Sequence, residues 1–235
     1  AKDNQQFRTH TFGQIAARYF ATQNTSFYAN LGTAFRAPVV GQIISEPAWW
    51  GGNPDLKPEE SVSYELGFDH AMAYGLQVYG SVYQTKIDNL MVSDSSTGWK
   101  FYNLDKATFT GSELGLKWKQ DNLFANAEYA YVQPKNDDTD EDAPNRPRQN
   151  FTLSAGVYGF TTSLVAKGPS KDLQVIPGYA TIDMNAYWQM NPHVKVFTNI
   201  KNIGDTTYKA AWNNEVNSYY LASGRLASAG VTFRY

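Results

Sequence analysis

The sequence predicts an all-β fold, a transmembrane antiparallel β-barrel wall of about eleven strands. Three observations lead there. The first is the segment 225–235, which reads R-L-A-S-A-G-V-T-F-R-Y. Ala227, Ala229, Val231, Phe233 and Tyr235 fall on one face, Ser228, Gly230, Thr232 and Arg234 on the other. Strict period-two alternation marks a strand with one apolar and one polar side, and in a membrane barrel lipid covers the apolar side. The second is the presence of 16 Tyr, 13 Phe and 6 Trp in a chain of mean hydropathy −0.48. Barrel strands that are half polar, between aromatic girdles, produce that combination, although an aromatic-rich soluble sandwich shares it. The third observation separates the two: the connections between strands alternate short and long.

Composition removes other classes. Cysteine is absent, which excludes a disulfide framework and a thiolate metal site. A net charge of −2 without a basic run gives no electrostatic footprint for nucleic acid. No apolar run approaches the ~18 residues of a membrane-spanning helix.

In chain order, strands are expected near 9–21, 25–36, 61–73, 76–90, 104–119, 123–135, 147–157, 161–168, 179–190, 194–203 and 222–235. In 61–70, Val62, Tyr64, Leu66 and Phe68 oppose Ser63, Glu65, Gly67 and Asp69. In 123–132, Leu123, Ala125, Ala127, Tyr129 and Tyr131 oppose a face with Asn126 and Glu128. In 180–190, Ala180, Ile182, Met184, Ala186, Trp188 and Met190 oppose Thr181, Asp183, Asn185 and Gln189. Carboxylates on the inward faces, at Glu65, Asp69, Glu113, Glu128 and Asp183, require a hydrated interior, because a dry core would desolvate them without partners.

The short connections are 22–25, 74–75, 120–122, 158–160 and 191–193; the long ones are 37–60, 91–103, 136–146, 168–178 and 204–221. Short turns on one side and long loops on the other characterise bacterial outer-membrane barrels, the short side being periplasmic. The last strand descends from a long loop, so Tyr235 is expected in the periplasm and Ala1 on the extracellular side. Eleven strands alone would leave two unpaired edges in lipid, which a bilayer forbids. Either the strand number is off by one, or the chain is part of a larger barrel.

At Phe35-Arg36-Ala37-Pro38, then Asn53-Pro54-Asp55-Leu56-Lys57-Pro58-Glu59, the sequence resembles the TonB-dependent outer-membrane receptors. Pro38 ends a strand, and Pro54 and Pro58 stiffen the return into the next. Lys86-Ile87-Asp88-Asn89-Leu90, Asn202-Ile203-Gly204-Asp205-Thr206-Thr207-Tyr208 and Gly224-Arg225 are similar to further stretches of that family, in the same order. The resemblance implies that residues 1–235 are the C-terminal portion of a 22-stranded barrel around a plug, with the plug and N-terminal strands absent from this chain.

The same resemblance implies active uptake of a bulky metal chelate, cobalamin or a ferric siderophore, energised by TonB acting on the plug. It implies no catalytic residue and no cofactor. Haem is disfavoured because no histidine lies between Arg36 and Asn53; His10, His70 and His193 read as ordinary polar side chains at strand ends or turns. Candidate ligand contacts are the loop aromatics Trp49, Trp50, Trp99, Phe101, Tyr102, Trp212, Tyr219 and Tyr220, suited to stacking on a large planar or macrocyclic ligand. An outer aromatic girdle is the alternative reading, particularly for Trp99, Phe101 and Tyr102. In the acidic run 136–142, Asp137, Asp138 and Asp140 are oxygen donors that Ca²⁺ accepts, without the EF-hand spacing, and a solvated loop is the plainer reading. Arg146 and Arg148 behind the run are expected to pair with it or to meet lipopolysaccharide phosphates. Implied partners are the N-terminal half of the receptor, TonB, the chelate, outer-membrane lipid and a parasitising bacteriocin or phage protein. A passive porin and an outer-membrane barrel enzyme stay open as alternatives.

Overall fold

Period-two sequences pair with their neighbours, and the computed structural model, which describes residues 11–44, 52–214 and 216–234, consists almost wholly of such pairs. The strands are β1 (Gln14–Phe20), β2 (Thr25–Arg36), β3 (Glu59–Ala71), β4 (Leu76–Val92), β5 (Tyr102–Gln120), β6 (Leu123–Asn136), β7 (Gln149–Val157), β8 (Phe160–Lys167), β9 (Ser170–Lys171), β10 (Val175–Ile176), β11 (Tyr179–Asn191), β12 (Val194–Lys201), β13 (Lys209–Asn213), β14 (Ser218–Leu221) and β15 (Leu226–Phe233). Eleven of them form one antiparallel meander in the order β1-β2-β3-β4-β5-β6-β7-β8-β11-β12-β15. These are the eleven strands the alternation predicts. The pairs β9–β10 and β13–β14 are small hairpins inside two long loops, too short for periodicity to reveal. Tyr235 and His10 lie outside the described residues.

The connections alternate as expected. β3 and β4 are joined across 72–75, β5 and β6 across 121–122 and β7 and β8 across 158–159, whereas β4–β5, β6–β7 and β12–β15 are joined by 93–101, 137–148 and 202–225. The sheet ends at β1 and β15, and among the described residues these two edges do not pair.

The register sorts the side chains into two faces. Phe68, Gly80, Leu114, Tyr129 and Phe151 form one cross-strand row. Ile15, Leu66, Leu114 and Trp188 on that face are exposed, as a lipid-facing surface requires. Two of its hydroxyls turn back to the backbone: Thr162 Oγ1 donates to the Asp183 carbonyl at 3.2 Å and Thr198 Oγ1 to the Ser228 carbonyl at 3.2 Å. Away from the short turns the outer rows become polar, first Gln84, Thr110 and Gln133, then Lys86, Thr108 and Lys135.

The opposite face carries the row Tyr28, Gly67, Ser81, Glu113, Ala130 and Asn150. The tyrosines lie flat on cross-strand glycines: the Tyr28 ring occupies the space a Cβ would take at Gly67, and the Tyr79 ring does so at Gly115. Their hydroxyls donate to carboxylates, Tyr28 to Glu65 at 3.1 Å and Tyr79 to Glu128 at 3.0 Å. Arg18 reaches Asp69 at 2.7 Å. The inward carboxylates expected from sequence therefore share a wet, hydrogen-bonded wall. A small apolar core of Leu90, Val92, Ala107 and Ala143 sits at the long-loop end, flanked by Ile87, Tyr102, Leu104 and Phe109.

Candidate ligand-binding mouth

The long loops are tied to one another, and the ties begin with the proline-rich return. Asn53 accepts the Asp55 backbone N–H on Oδ1 at 3.0 Å, an Asx turn that Pro54 suits, and its Nδ2 donates to the Phe101 carbonyl at 3.0 Å. Lys57 N–H donates to Asn103 Oδ1 at 2.8 Å, and Asn103 Nδ2 returns to the carbonyls of Lys57 and Asn89. Leu56 is buried beneath. The N-P-D-L-K-P-E stretch thus holds the β2–β3 loop against the start of β5.

Within 93–101, Asp94 caps a single 3₁₀ turn: Oδ1 accepts the N–H groups of Ser96 and Thr97, and Oδ2 accepts the Tyr102 hydroxyl at 2.5 Å. Burial by itself would raise the Asp94 carboxyl, but the hydrogen bonds from Ser96, Tyr102 and Thr97 outweigh it and hold the group below the usual carboxylate range. Burial, then the Asp94 hydrogen bond, push the Tyr102 hydroxyl well above its ordinary value. Ser95, itself buried, donates its Oγ to Asp172 Oδ1 in the next loop at 2.9 Å. Lys171 pairs with Glu141 at 2.9 Å, and Asn145 N–H donates to the Lys171 carbonyl. Tyr219 on the β13–β14 hairpin donates to the Val175 carbonyl at 3.2 Å. A continuous chain of contacts therefore joins all five long loops.

The predicted aromatics fall into two groups. Trp99, at φ 67° in the left-handed region, Phe101 and Tyr102 lie in and after the β4–β5 loop. Trp212, Tyr219 and Tyr220 lie on the β13–β14 hairpin, where Trp212 is buried edge-on against Tyr219 at 4.8 Å and Lys209 Nζ sits 3.7 Å over the Tyr219 ring. Tyr220 is half exposed, its hydroxyl accepting from Asn213. No ring contact joins the two groups among the described residues, and Trp49 and Trp50 lie outside them.

The acidic run is largely paired. Asp137 accepts the Thr108 hydroxyl, Asp140 pairs with Lys135, and Asp142 takes a two-pronged pair from Arg148 at 2.7 and 2.8 Å. Asp138 is exposed. Among the described residues no group of three or more His, Asp or Glu is placed to hold a metal ion. His70 and His193 make ordinary hydrogen bonds, to Thr25 and to the Arg234 carbonyl.

Sequence reasoning missed a charged cluster on the lumen side of the mouth. Glu59, 9% exposed, accepts the Met91 N–H on Oε1 at 2.8 Å and pairs through Oε2 with Arg36 Nε at 3.1 Å. Arg146 does not join the acidic run. It folds inward with its guanidinium 5.0 Å over the Phe109 ring, where it feels Glu59 and Arg36. Burial lowers the Arg146 guanidinium below its ordinary value; Glu59 opposes that shift and Arg36 adds to it. The signal available was the placement of Arg36 and Glu59 at the facing ends of two strands, where β2 and β3 align them directly.

An eleven-strand meander with an apolar outer face, a polar inner face and tied loops at one end is the wall of an outer-membrane β-barrel. The sequence profile described as TonB dependent receptor-like, beta-barrel matches residues 1–203, and the chain belongs to that family of receptors and transporters of the bacterial outer membrane. It is 28% identical over 240 residues to the vitamin B12 transporter BtuB of Photobacterium profundum, covering 94% of this chain and 38% of that protein. Among solved structures it is similar to the copper transporter OprC, at TM-score 0.72 and 20% identity over 94% of this chain and 38% of that one. It is likewise similar to a point mutant of the ferric enterobactin receptor PfeA from Pseudomonas aeruginosa, at TM-score 0.71 and 18% identity over 94% and 39%. The chain thus spans about two-fifths of the length of the proteins it matches.

Proposed function

We propose that this chain is the C-terminal portion of a TonB-dependent receptor that takes up a bulky metal chelate, cobalamin or a ferric siderophore. The observation that carries the reading is the unclosed wall: eleven strands with an apolar outer face and two edges, β1 and β15, unpaired among the described residues, need further strands to exist in lipid. The inner face supports a filled lumen. Glu65, Glu113 and Glu128 sit close enough for Glu113 to feel both others, and such a carboxylate group favours a basic surface of the plug opposite it. TonB would act through that plug. The relative named a vitamin B12 transporter favours a corrinoid; the solved likeness to a ferric enterobactin receptor keeps a siderophore alongside it.

In this reading Trp99, Phe101, Tyr220 and the Trp212–Tyr219 pair line or support the mouth above the lumen, and Trp49 and Trp50 are further candidate ligand contacts by residue type alone. Lipid and lipopolysaccharide surround the outer face, and the exposed loops are where a bacteriocin or phage protein would dock. The test is equilibrium binding of cobalamin, haem and ferric siderophores to the full-length receptor. Saturable binding of a corrinoid or ferric siderophore in the nanomolar-to-micromolar range is expected; no binding by any of them sinks the uptake reading.

A further inference from the structure

We propose that Arg146, resting on Phe109 and flanked by Arg36, receives an anionic oxygen group of the transported chelate. This deepens the uptake reading and rests on it. Arg146 departs from its sequence neighbour: Arg148 makes a two-pronged pair with Asp142, whereas Arg146 makes no hydrogen bond or ion pair among the described residues. Its guanidinium carries five N–H donors in a fixed plane. Half-buried donors without acceptors are costly in a finished site and useful in one awaiting a ligand.

The surroundings set the sign of that ligand. Among the described residues Glu59 is the carboxylate that bears on Arg146, and its two oxygens already engage the Met91 N–H and Arg36 Nε. Arg36 uses Nε on Glu59, and its terminal nitrogens make no hydrogen bond among the described residues. Two guanidinium groups and one carboxylate leave a formal charge of one positive unit at the lumen end of the mouth. The Phe109 ring lies 5.0 Å from the guanidinium, and a guanidinium held on an aromatic ring suits two-pronged binding of a planar or tetrahedral oxyanion. Arg146 is held there by its own loop: Ala143, three residues earlier, is fully buried in the apolar core with Leu90, Val92 and Ala107. The position is thus preorganised by packing and not by an ion pair the ligand would have to displace.

The oxyanion has two sources of the same chemistry, the phosphodiester of a corrinoid or the catecholate and carboxylate oxygens of a ferric siderophore. The experiment uses the full-length receptor as wild type, R146Q and R146K. It titrates cyanocobalamin, cobinamide (the corrinoid lacking the phosphodiester) and ferric enterobactin at low and high NaCl, and records the melting temperature without ligand. R146Q is expected to weaken the oxyanion-bearing ligand that the wild type takes by about 10–100-fold, the size of a charge-assisted pair. R146K should recover part of that loss, and the salt dependence of the wild type should flatten in R146Q. Loss for cyanocobalamin but not cobinamide assigns the phosphodiester; loss for ferric enterobactin assigns the siderophore oxygens. An unchanged Kd in R146Q with normal wild-type binding overturns this inference alone. Equal loss for all three ligands with a lowered ligand-free melting temperature makes Arg146 a partner of the plug or the fold, and overturns it too. Absence of any wild-type binding overturns the uptake reading and this inference together.

Discussion

Asp94 shows how a single side chain in a plain serine-rich stretch becomes the post of a loop. Its two oxygens gather the Ser96 and Thr97 N–H groups and the Tyr102 hydroxyl, and its neighbour Ser95 reaches across to Asp172. The sign of the pH effect follows from its lowered carboxyl value. A carboxylate depressed in the folded state stabilises above the ordinary carboxylate pKa of about 3.9 and loses that contribution as pH falls through its own lower value. Pepsin cleavage within 93–101 of the full receptor is therefore expected to stay slow down to about that ordinary pKa and to accelerate only below it. In D94N the acceleration should be present already above it; equal cleavage in D94N and wild type would remove Asp94 from this role. Neither tie is predictable from spacing, because Tyr102 lies across a turn from Asp94 and Asp172, which Ser95 binds, belongs to another loop.

Elements were legible where one rule governed the whole strand. Lipid on one side and water on the other impose period two, so all eleven wall strands could be read from the sequence, along with the alternation of their connections. The β9–β10 and β13–β14 hairpins obey loop packing and carry no such period. Pairing between strands adds a second layer, seen where the Tyr79 ring fills the place of a Cβ at Gly115 on the next strand. Filling that place is expected to cost about 1–3 kcal/mol, as in other overpacked sites. G115V should lower the urea midpoint of the full receptor, and the G115V/Y79A pair should be less than additive. Strict additivity would show that the ring and the glycine are independent.

For the whole molecule, the prediction is one of depth. Leu114 lies in the middle rows of the outer face and Gln84 nearer its long-loop end, beside Thr110. L114R is expected to cost about 2–4 kcal/mol in the folded receptor and Q84R about 0–1, in folding titrations from denaturant into bilayers. Equal costs at the two sites would mean that the outer face is not in lipid. The chain alone, residues 1–235, is expected not to give a closed, heat-modifiable barrel on refolding, since β1 and β15 would face lipid unpaired; a band that shifts on heating would contradict this. At this scale the division of labour is plain. The amino-acid sequence by itself determined the strands, their facing and the membrane they suit, because a two-sided solvent writes itself residue by residue at period two. Only the tertiary structure decided which loops join, that Arg148 pairs with Asp142 while Arg146 turns inward over Phe109, and that Glu59 is claimed by Arg36 and Met91. Those choices depend on chain segments distant in sequence meeting at one end of the sheet, and no local periodicity encodes such a meeting.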